Sequence, residues 1–405
     1  MLIAAFVSIL GFNVAFPFLP LYIQDLGVSD PGRAAFWSGL IGSVAGVLAA
    51  LIAPVWGHMA DHRGRKPMLV RATAGSAVGL VIMGLAPGLI VLLVGRIAFG
   101  LMAGTVPAAN PLIAANTPAE HVAGAMGMLQ SSIYVANAVG PLLGGILASE
   151  LGYRVTFMVT ATLYVVSAVP VYFLVRERFT PPAEQTPLVS SLSANFRMVF
   201  RRSDLLLPIF AAFLAYSATS AILPVLPLHI DGLIGGGSTE RATGLAVGMQ
   251  GLAGTIAALS VGRVTTRFGY ARVLTWAPPL VIGVYLGLWL THSYLILVAL
   301  LMVAGLIQGL SVTSLTALIA LRAPREQAGA TFGVVTSINS FAFSGAPFIA
   351  GVVASILGLR AVFLFSALLA TGMLILCLRT AHGSMPAAVT KPARTTTQPQ
   401  KSPSP

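Results

Sequence analysis

The chain has 405 residues, of which 57% are hydrophobic and only 8% are charged. Roughly 25% of the residues in a soluble domain are charged, so this composition excludes an ordinary soluble enzyme. Disorder over most of the chain is excluded too, because the apolar content is too high. The net charge of +12 would suggest nucleic-acid binding in a soluble protein. The sequence has no basic helix face, and we expect no nucleic-acid partner.

Twelve mostly apolar segments follow one another along the chain. Each is close to the ~20 residues that a helix needs to cross a bilayer, and charges or Pro/Gly clusters separate them. Such long runs do not alternate as membrane β-strands do. The sequence therefore predicts an all-α membrane protein with twelve transmembrane helices. The predicted segments, numbered 1 to 12, are 2–24, 35–57, 67–87, 89–115, 122–148, 154–175, 206–230, 243–262, 273–291, 294–320, 328–355 and 360–379.

The basic residues fall unevenly on the two sides of these segments. With a cytoplasmic N-terminus, 18 of the 23 Lys and Arg residues lie in cytoplasmic loops or the tail, and four lie in outer loops. This is the positive-inside pattern. It predicts a protein of the cell inner membrane with both termini in the cytoplasm.

The regions outside the segments predict the domain organisation. The longest cytoplasmic loop, 176–205, has mixed charges and joins two halves, 1–175 and 206–379. Residues 380–405 are rich in Pro, Thr, Ser and Gln, which predicts a disordered cytoplasmic tail. Segment 1 begins almost at Met1 and lacks the basic flank and cleavage pattern of a signal peptide. We therefore expect a true start upstream of Met1 and a short missing cytoplasmic flank.

The second half repeats the first at an offset of about 206 residues. Three features recur in the same order. They are a Pro-x-x-Pro pair, two glycines seven residues apart, and a proline that follows a small residue and precedes a glycine by four positions. Six segments repeated in parallel are the plan of a secondary transporter whose substrate path lies between the halves. The recurring residues are Pro17, Pro20, Gly57, Gly64, Gly140, Pro141 and Gly145, with Pro224, Pro227, Gly262, Gly269, Ala346, Pro347 and Gly351.

Residues 57–69 read Gly-His-Met-Ala-Asp-His-Arg-Gly-Arg-Lys-Pro-Met-Leu and lie between segments 2 and 3. They resemble the loop 2–3 signature of the major facilitator superfamily. Glycine permits close helix approach and a tight turn, the aspartate suits a helix N-terminus, and the basic pair suits lipid or an acid such as Glu120. The resemblance implies a gating loop that latches the halves on the cytoplasmic side. A basic loop that only fixes topology is the alternative. The loop residues are Gly57, Asp61, Gly64, Arg65 and Lys66.

Segment 4 contains Arg96, the one charge within the interior of a predicted span. The pattern Leu92-x-x-x-Arg96-x-x-Phe99-Gly100 resembles the span-4 arginine motif of the superfamily, with Phe99 where Gln is common. A lone Arg in hydrocarbon costs at least ~2.5–3.5 kcal/mol, so it predicts a cavity or a partner. The alternative is an arginine that extends to the nearby interface.

Segment 5 ends with Gly140-Pro141-Leu142-Leu143-Gly144-Gly145. This run resembles the Gly-Pro-x-x-Gly-Gly motif of exporters and antiporters, in which proline permits a bend and glycine permits close packing. Segment 1 adds Gly11 before its Pro-x-x-Pro. Nearly the whole chain is thus similar to the 12-span drug:proton antiporter group. The resemblance implies export of drug-like or toxic molecules by proton antiport with alternating access, driven by the proton gradient without a cofactor.

Proton coupling needs a group that changes its protonation state during the cycle. Many members of that group carry an acid within span 1, where this chain has Asn13 and no acid until the outer end. No Asp or Glu lies in the interior of any predicted span. A histidine titrates near physiological pH, whereas an arginine can tune a proton site without releasing a proton. The coupling candidates are Arg96, Asp25, Asp231 and His229.

Polar and aromatic residues at mid-span mark a candidate substrate cavity. They supply amides, hydroxyls and aromatic faces without fixed acids, which suits neutral or amphipathic compounds. Hydrogen bonding between helices is the alternative role for each of them. The candidates are Asn13, Phe16, Asn110, Gln130, Tyr134, Asn137, Tyr216, Gln250, Gln308 and Asn339.

Other classes of function remain as alternatives. A sugar or amino-acid transporter could use the same fold, and so could a membrane sensor without transport. An enzyme is least favoured, since no nucleophile–base pair or phosphate loop is recognisable. The single cysteine, Cys377, gives no thiolate cluster, and we expect no metal site. We expect a monomer whose partners are a small-molecule substrate and the lipid bilayer.

Overall fold

The computed structural model describes residues 2–104, 117, 121–175, 177, 196–235, 237–323 and 328–382. The regular structure of these residues is helical. One 3₁₀ turn, Phe16–Phe18, interrupts the helices near the N-terminus. The α-helices are α1 (Leu2–Ala15), α2 (Leu19–Asp25), α3 (Pro31–Arg63), α4 (Arg65–Gly84), α5 (Leu89–Met102), α6 (Val122–Leu174), α7 (Ser203–Ser220), α8 (Leu226–Ile234), α9 (Thr239–Phe268), α10 (Tyr270–Leu290), α11 (Tyr294–Arg322), α12 (Ala328–Leu357) and α13 (Ala361–His382).

The helices of the described residues agree with the predicted segments. Nine are long and apolar enough to cross a membrane. One of these, Ser131–Phe173, has 43 residues and breaks at Gly152, whose φ of 78° is outside the helical range, so it accounts for segments 5 and 6. Two shorter apolar helices, Leu89–Met102 and Asp204–Ser220, correspond to segments 4 and 7. The set is consistent with twelve spans.

Segments 1 and 7 differ from the prediction because neither is one continuous helix. Segment 1 passes through the 3₁₀ turn between α1 and α2, and segment 7 passes through a turn at 221–225 between α7 and α8. Both breaks coincide with the Pro-x-x-Pro pairs. Proline has no N–H to donate and cannot continue the helical ladder. The structure therefore bends both repeats at the same place.

The tight turns after segments 2 and 8 are also equivalent. Gly64 has φ 93° and ψ 161°, and Gly269 has φ 79° and ψ 151°. Only glycine adopts this region readily. Each glycine ends one long helix and begins the next, which turns the chain back at the same face of the molecule.

The two halves meet through two crossed helix pairs, α3 with α12 and α6 with α9. In the first pair, the Ser43 hydroxyl donates to the Ser344 carbonyl, and a Cβ added to Gly351 would lie 2.8 Å from the Ala35 carbonyl oxygen. These contacts lie toward the face that carries residues 26–30, Gly152 and Gly358, here called the distal face. The opposite face, with Gly64, Gly269 and Glu177, is called the linker face.

Among the described residues, the glycines of these helices that lie nearest the linker face make no such close approach. A Cβ built at Gly57, Gly262 or Gly333 would meet nothing within 4 Å. These glycines lie on α3, α9 and α12, which pack tightly across the molecule near the distal face. The close backbone contacts between the halves thus concentrate toward the distal face, and from this we infer a cleft that opens toward the linker face.

Candidate transport site and gates

The Gly-Pro-x-x-Gly-Gly motif lies in α6 between two other helices. On one side, a Cβ at Gly140 would lie 2.5 Å from the Asn13 Cβ, and Gly144 packs on the Val14 carbonyl. On the other side, a Cβ at Gly145 would lie 2.5 Å from the Glu240 carbonyl oxygen. Residues four apart share a helix face. Gly140 and Gly144 therefore face α1 of the same half, while Gly145 faces α9 of the other half.

The partner surface on α9 is equally close. Gly244 packs against the carbonyl of Pro141, and a Cβ at Gly248 would lie 2.5 Å from the Leu142 Cγ. The first is a backbone-to-backbone approach and the second seats a leucine side chain against a glycine, and only small residues on α9 allow either. The motif thus closes the distal end of the cleft directly, through the lack of side chains at the contact.

A polar latch joins the two halves at the rim of this contact. The Tyr153 hydroxyl donates to Glu240 Oε1 at 2.5 Å, Arg241 forms an ion pair with Glu150, and Arg241 Nε donates to Ser149 Oγ at 2.9 Å. Sequence reasoning did not identify these residues, which we call the distal latch. The sequence feature that could have indicated this latch is the presence of charged residues in two predicted outer loops.

Asp25 and Asp231, two predicted coupling candidates, lie around this latch. Both are exposed, and both interact electrostatically with the Tyr153 phenol. The Asp231 carboxylate also accepts a hydrogen bond from Thr239 Oγ1 at 2.6 Å. Glu240 of the second half also contacts this phenol, so acids of both halves interact with one tyrosine. His229 is instead buried beside Phe363, with ring centroids 5.1 Å apart.

Arg96 is enclosed by aromatic rings inside the first half. Its side chain is 7% exposed, so it does not extend to the interface. The guanidinium carbon lies 3.9 Å from the ring centroid of Phe16, 5.3 Å from that of Phe99 and 5.9 Å from that of Phe12. Desolvated cations are stabilised by the electron-rich faces of such rings. Phe16, a predicted cavity residue, is thus the main contact of the arginine.

No carboxylate in the described part of the chain compensates Arg96. Its Nε and Nη1 atoms are buried without hydrogen-bond partners among these residues. Aromatic faces supply less stabilisation than a paired anion, and an unpaired buried charge is costly. Such a site has a strong electrostatic preference for negative charge.

The predicted cavity residues of the first half meet near the motif. Asn13 Nδ2 donates to Asn137 Oδ1 at 2.9 Å, which links α1 to α6. One turn away, the Tyr134 carbonyl accepts from Thr255 Oγ1 of α9 at 3.4 Å. These residues line the boundary between the halves. Asn110 and the side chain of Gln130 lie outside the described part of the structure.

The candidates of the second half are more dispersed. Gln308 accepts a hydrogen bond from Thr219 at 2.6 Å within the second half. The Tyr216 ring packs on Phe343 with centroids 5.2 Å apart. The Gln250 carbonyl packs against Gly305, and Asn339 Oδ1 is buried without a partner among the described residues.

The loop between α3 and α4, which the sequence predicts to be a gating loop, is held by a residue that sequence reasoning missed. The backbone N–H groups of Arg65 and Lys66 each donate to the Glu177 carboxylate at 2.8 Å. Glu177 follows α6. The N-cap residue of α4 is Gly64, which has no side chain that could accept these hydrogen bonds. The expected acid, Glu120, and the side chain of Asp61 lie outside the described part. An acid directly after segment 6 was the available signal.

Comparison with known proteins agrees with this architecture. The family model described as Major Facilitator Superfamily matches residues 1–235 and 209–403. The chain belongs to the major facilitator superfamily.

Several named proteins and solved structures are similar to the chain over nearly its whole length. Proteins named Multidrug resistance protein MdtG from Proteus mirabilis and Klebsiella pneumoniae are each 31% identical to the chain. The matches cover 88% of this chain and 89% of the first relative, and 90% of this chain and 88% of the second. A bacterial homologue of the human lysosomal transporter Spinster, inward-facing and occupied, shares the fold with a TM-score of 0.76 at 17% identity over 94% of this chain and 95% of that one. The nucleoside transporter NupG shares the fold with a TM-score of 0.73 and 12% identity, over 94% of this chain and 99% of that chain.

As a superfamily member, the chain is an integral membrane protein and a transporter. The predicted all-α membrane fold of the superfamily is confirmed, and the described helices are consistent with twelve spans.

The Glu177 contact predicts a measurable stabilisation of the superfamily's loop 2–3. Glu177→Ala leaves two N–H groups at the start of α4 without their carboxylate, and loss of a helix cap costs about 1 kcal/mol. We expect a lower melting temperature of the purified protein. Asp30→Ala, which removes the Asp30 cap of α3 at the distal face, is the matched control and should cost a similar amount. A Glu177→Ala variant as stable as the wild type would contradict this role.

Proposed function

We propose that the chain exports drug-like or toxic small molecules in exchange for protons. The packing of the Gly-Pro-x-x-Gly-Gly motif between α1 and α9 carries the proposal, because it makes an exporter-type motif the closure of one end of the cleft. The MdtG relatives, which span nearly the whole chain, support it. Boundary residues with amides and aromatic rings suit amphipathic substrates.

The orientation follows from the basic residues. The linker face carries the excess of Lys and Arg, so we place it and both termini in the cytoplasm. The state seen here then receives substrate from the cytoplasm. Opening of the distal latch, with closure at the linker face, would release the substrate on the other side of an inner membrane. One chain suffices, and the proton gradient rather than a cofactor supplies the energy.

The distal carboxylates provide a route for coupling. Asp25, Asp231 and Glu240 belong to both halves at the distal face, and Glu240 accepts the hydrogen bond of Tyr153 across the latch. Exchange of a proton with the distal side at one of these carboxylates would link the proton gradient to the opening and closing of the latch. Arg96 cannot release a proton. It would instead hold a fixed positive charge within the first half.

Drug accumulation in an efflux-deficient bacterial host tests the proposal. Cells that express the chain should accumulate less of several amphipathic dyes than cells with an empty vector, and a protonophore should remove the difference. Unchanged accumulation over a wide panel of drugs would contradict drug export. If counterflow of a sugar or amino acid were found instead, the chain would be a metabolite transporter.

A further inference from the structure

A pocket of about 410 Å³ lies at the distal face of the second half, between α8 and the turn that joins α12 to α13. Its walls combine leucine side chains with two nitrogen-bearing groups and contain no acid. Such a lining suits a ligand with an apolar part and a small polar or negatively charged part. The residues used below are Leu228, His229, Leu233, Leu357, Leu359 and Arg360.

Arg360 supplies a positive charge to this pocket. Its Nη1 donates to Nε2 of His292 at 2.8 Å, because a guanidinium group has no acceptor atom. The ion pairs among the described residues involve other arginines, Arg202 and Arg241. The charge of Arg360 is therefore not neutralised by a carboxylate in the described part of the chain.

His229 forms the inner wall of the pocket. It is 6% exposed, it packs on Phe363, and its Nε2 atom is buried without a hydrogen-bond partner among the described residues. The nearest acid in sequence, Asp231, is hydrogen-bonded to Thr239 on α9 and does not line the pocket. The polar end of the pocket is thus basic, and an anion would complement it.

An apolar surface continues from the pocket toward the centre of the bilayer. Ile356 and Leu357 at the rim are 73% and 71% exposed. Along α13, Leu364 and Leu368 are 37% and 68% exposed and follow Arg360 at spacings of four and eight residues, which places them on one helix face. An acyl chain attached to an anion at Arg360 would lie on this stripe.

We propose that this pocket binds the phosphate headgroup of an anionic phospholipid from the leaflet at the distal face. Arg360 pairs with the phosphate, the leucines of the pocket contact the glycerol region, and the Leu364–Leu368 face accommodates an acyl chain. A soluble anion would contact only the basic end of the pocket, because most of the pocket lining is apolar. The lipid also orders the turn between α12 and α13, next to the helix that closes against α3.

Thermal unfolding of the full chain in a neutral detergent tests the proposal with three probes: phosphatidylglycerol, phosphatidylcholine and inorganic phosphate. Phosphatidylglycerol should raise the melting temperature of the wild type, and the other two should not. One basic residue contributes about fivefold to the binding of an anionic lipid. Arg360→Gln should therefore lose at least half of the shift, and Arg360→Lys should keep most of it. Arg33→Gln, at an exposed arginine of the same face, is the matched control and should respond like the wild type.

Several outcomes would overturn the proposal. Equal shifts in Arg360→Gln and the wild type would show that the lipid binds elsewhere, and so would an equal loss in Arg33→Gln. A full shift with inorganic phosphate alone would make the pocket a site for free anions. If Arg360→Gln fails to fold, the wild type still decides, because equal responses to phosphatidylglycerol and phosphatidylcholine exclude an anion-selective site.

Discussion

Gly145→Val should abolish export and leave the distal end of the cleft open. A Cβ at this position would lie 2.5 Å from the Glu240 carbonyl oxygen and 3.2 Å from the Gly244 Cα. Both are backbone atoms, so no side-chain rotation can make room. Overpacking of this kind costs about 1–3 kcal/mol, which shifts an equilibrium between two access states roughly 5- to 150-fold. Gly244→Val should have the same effect, since it faces the Pro141 carbonyl across the same contact.

The change of access can be measured separately from transport. Ser149→Cys places a thiol at the distal junction, and the native Cys377 is fully buried, so it should add little labelling background. In the Gly145→Val background, this thiol should react faster with a membrane-impermeant reagent. Gly283→Val introduces the same side chain where nothing lies within 4 Å, and it should export normally. Wild-type export and labelling in Gly145→Val would refute the role of the motif as the distal closure.

Arg96→Leu should stabilise the protein while it abolishes export. The arginine is 7% exposed, and two of its nitrogens have no partner among the described residues. Since a charge at mid-membrane costs at least ~2.5–3.5 kcal/mol on insertion scales, its removal should raise the free energy of unfolding by about 2 kcal/mol. Export should fall at least tenfold (~1.4 kcal/mol), because the first half loses its fixed positive charge.

Arg96→Lys separates charge from shape. Lysine keeps the charge but lacks the planar group that stacks on Phe16, so export should fall only partly. Thermal unfolding in detergent and proton-driven efflux in vesicles are the two measurements. If Arg96→Leu lowered stability and export together, the arginine would be a structural residue of the first half.

Much of the gate was predictable because its determinants are short sequence patterns. Gly140 to Gly145 indicate close packing by their lack of side chains, and the structure shows which neighbours they contact. The two Pro-x-x-Pro pairs indicate interruptions in segments 1 and 7, although we predicted continuous spans there. Proline removes a hydrogen bond at a known position, but hydropathy averaged over twenty residues does not register the break.

Other parts of the site could not be predicted because they depend on long-range pairing. Glu177 reaches Arg65 over 112 positions, and Tyr153 reaches Glu240 over 87. Nothing in the local sequence of either acid distinguishes it from a solvated charge. The contacts of Arg96 and Gln308 likewise come from other helices, an aromatic cluster for one and Thr219 for the other.

The sequence by itself determined that this chain spans a membrane through twelve apolar segments in two related halves. The free energy of transfer into lipid is a sum over residues, which apolar side chains make favourable and charges make unfavourable. Composition and the spacing of apolar segments therefore suffice for that conclusion. Only the tertiary structure decided which end of the cleft is closed, what surrounds Arg96 and which acid holds the gating loop. Those features arise from contacts between helices far apart in the chain, and they depend on how the two halves pack in one of their access states.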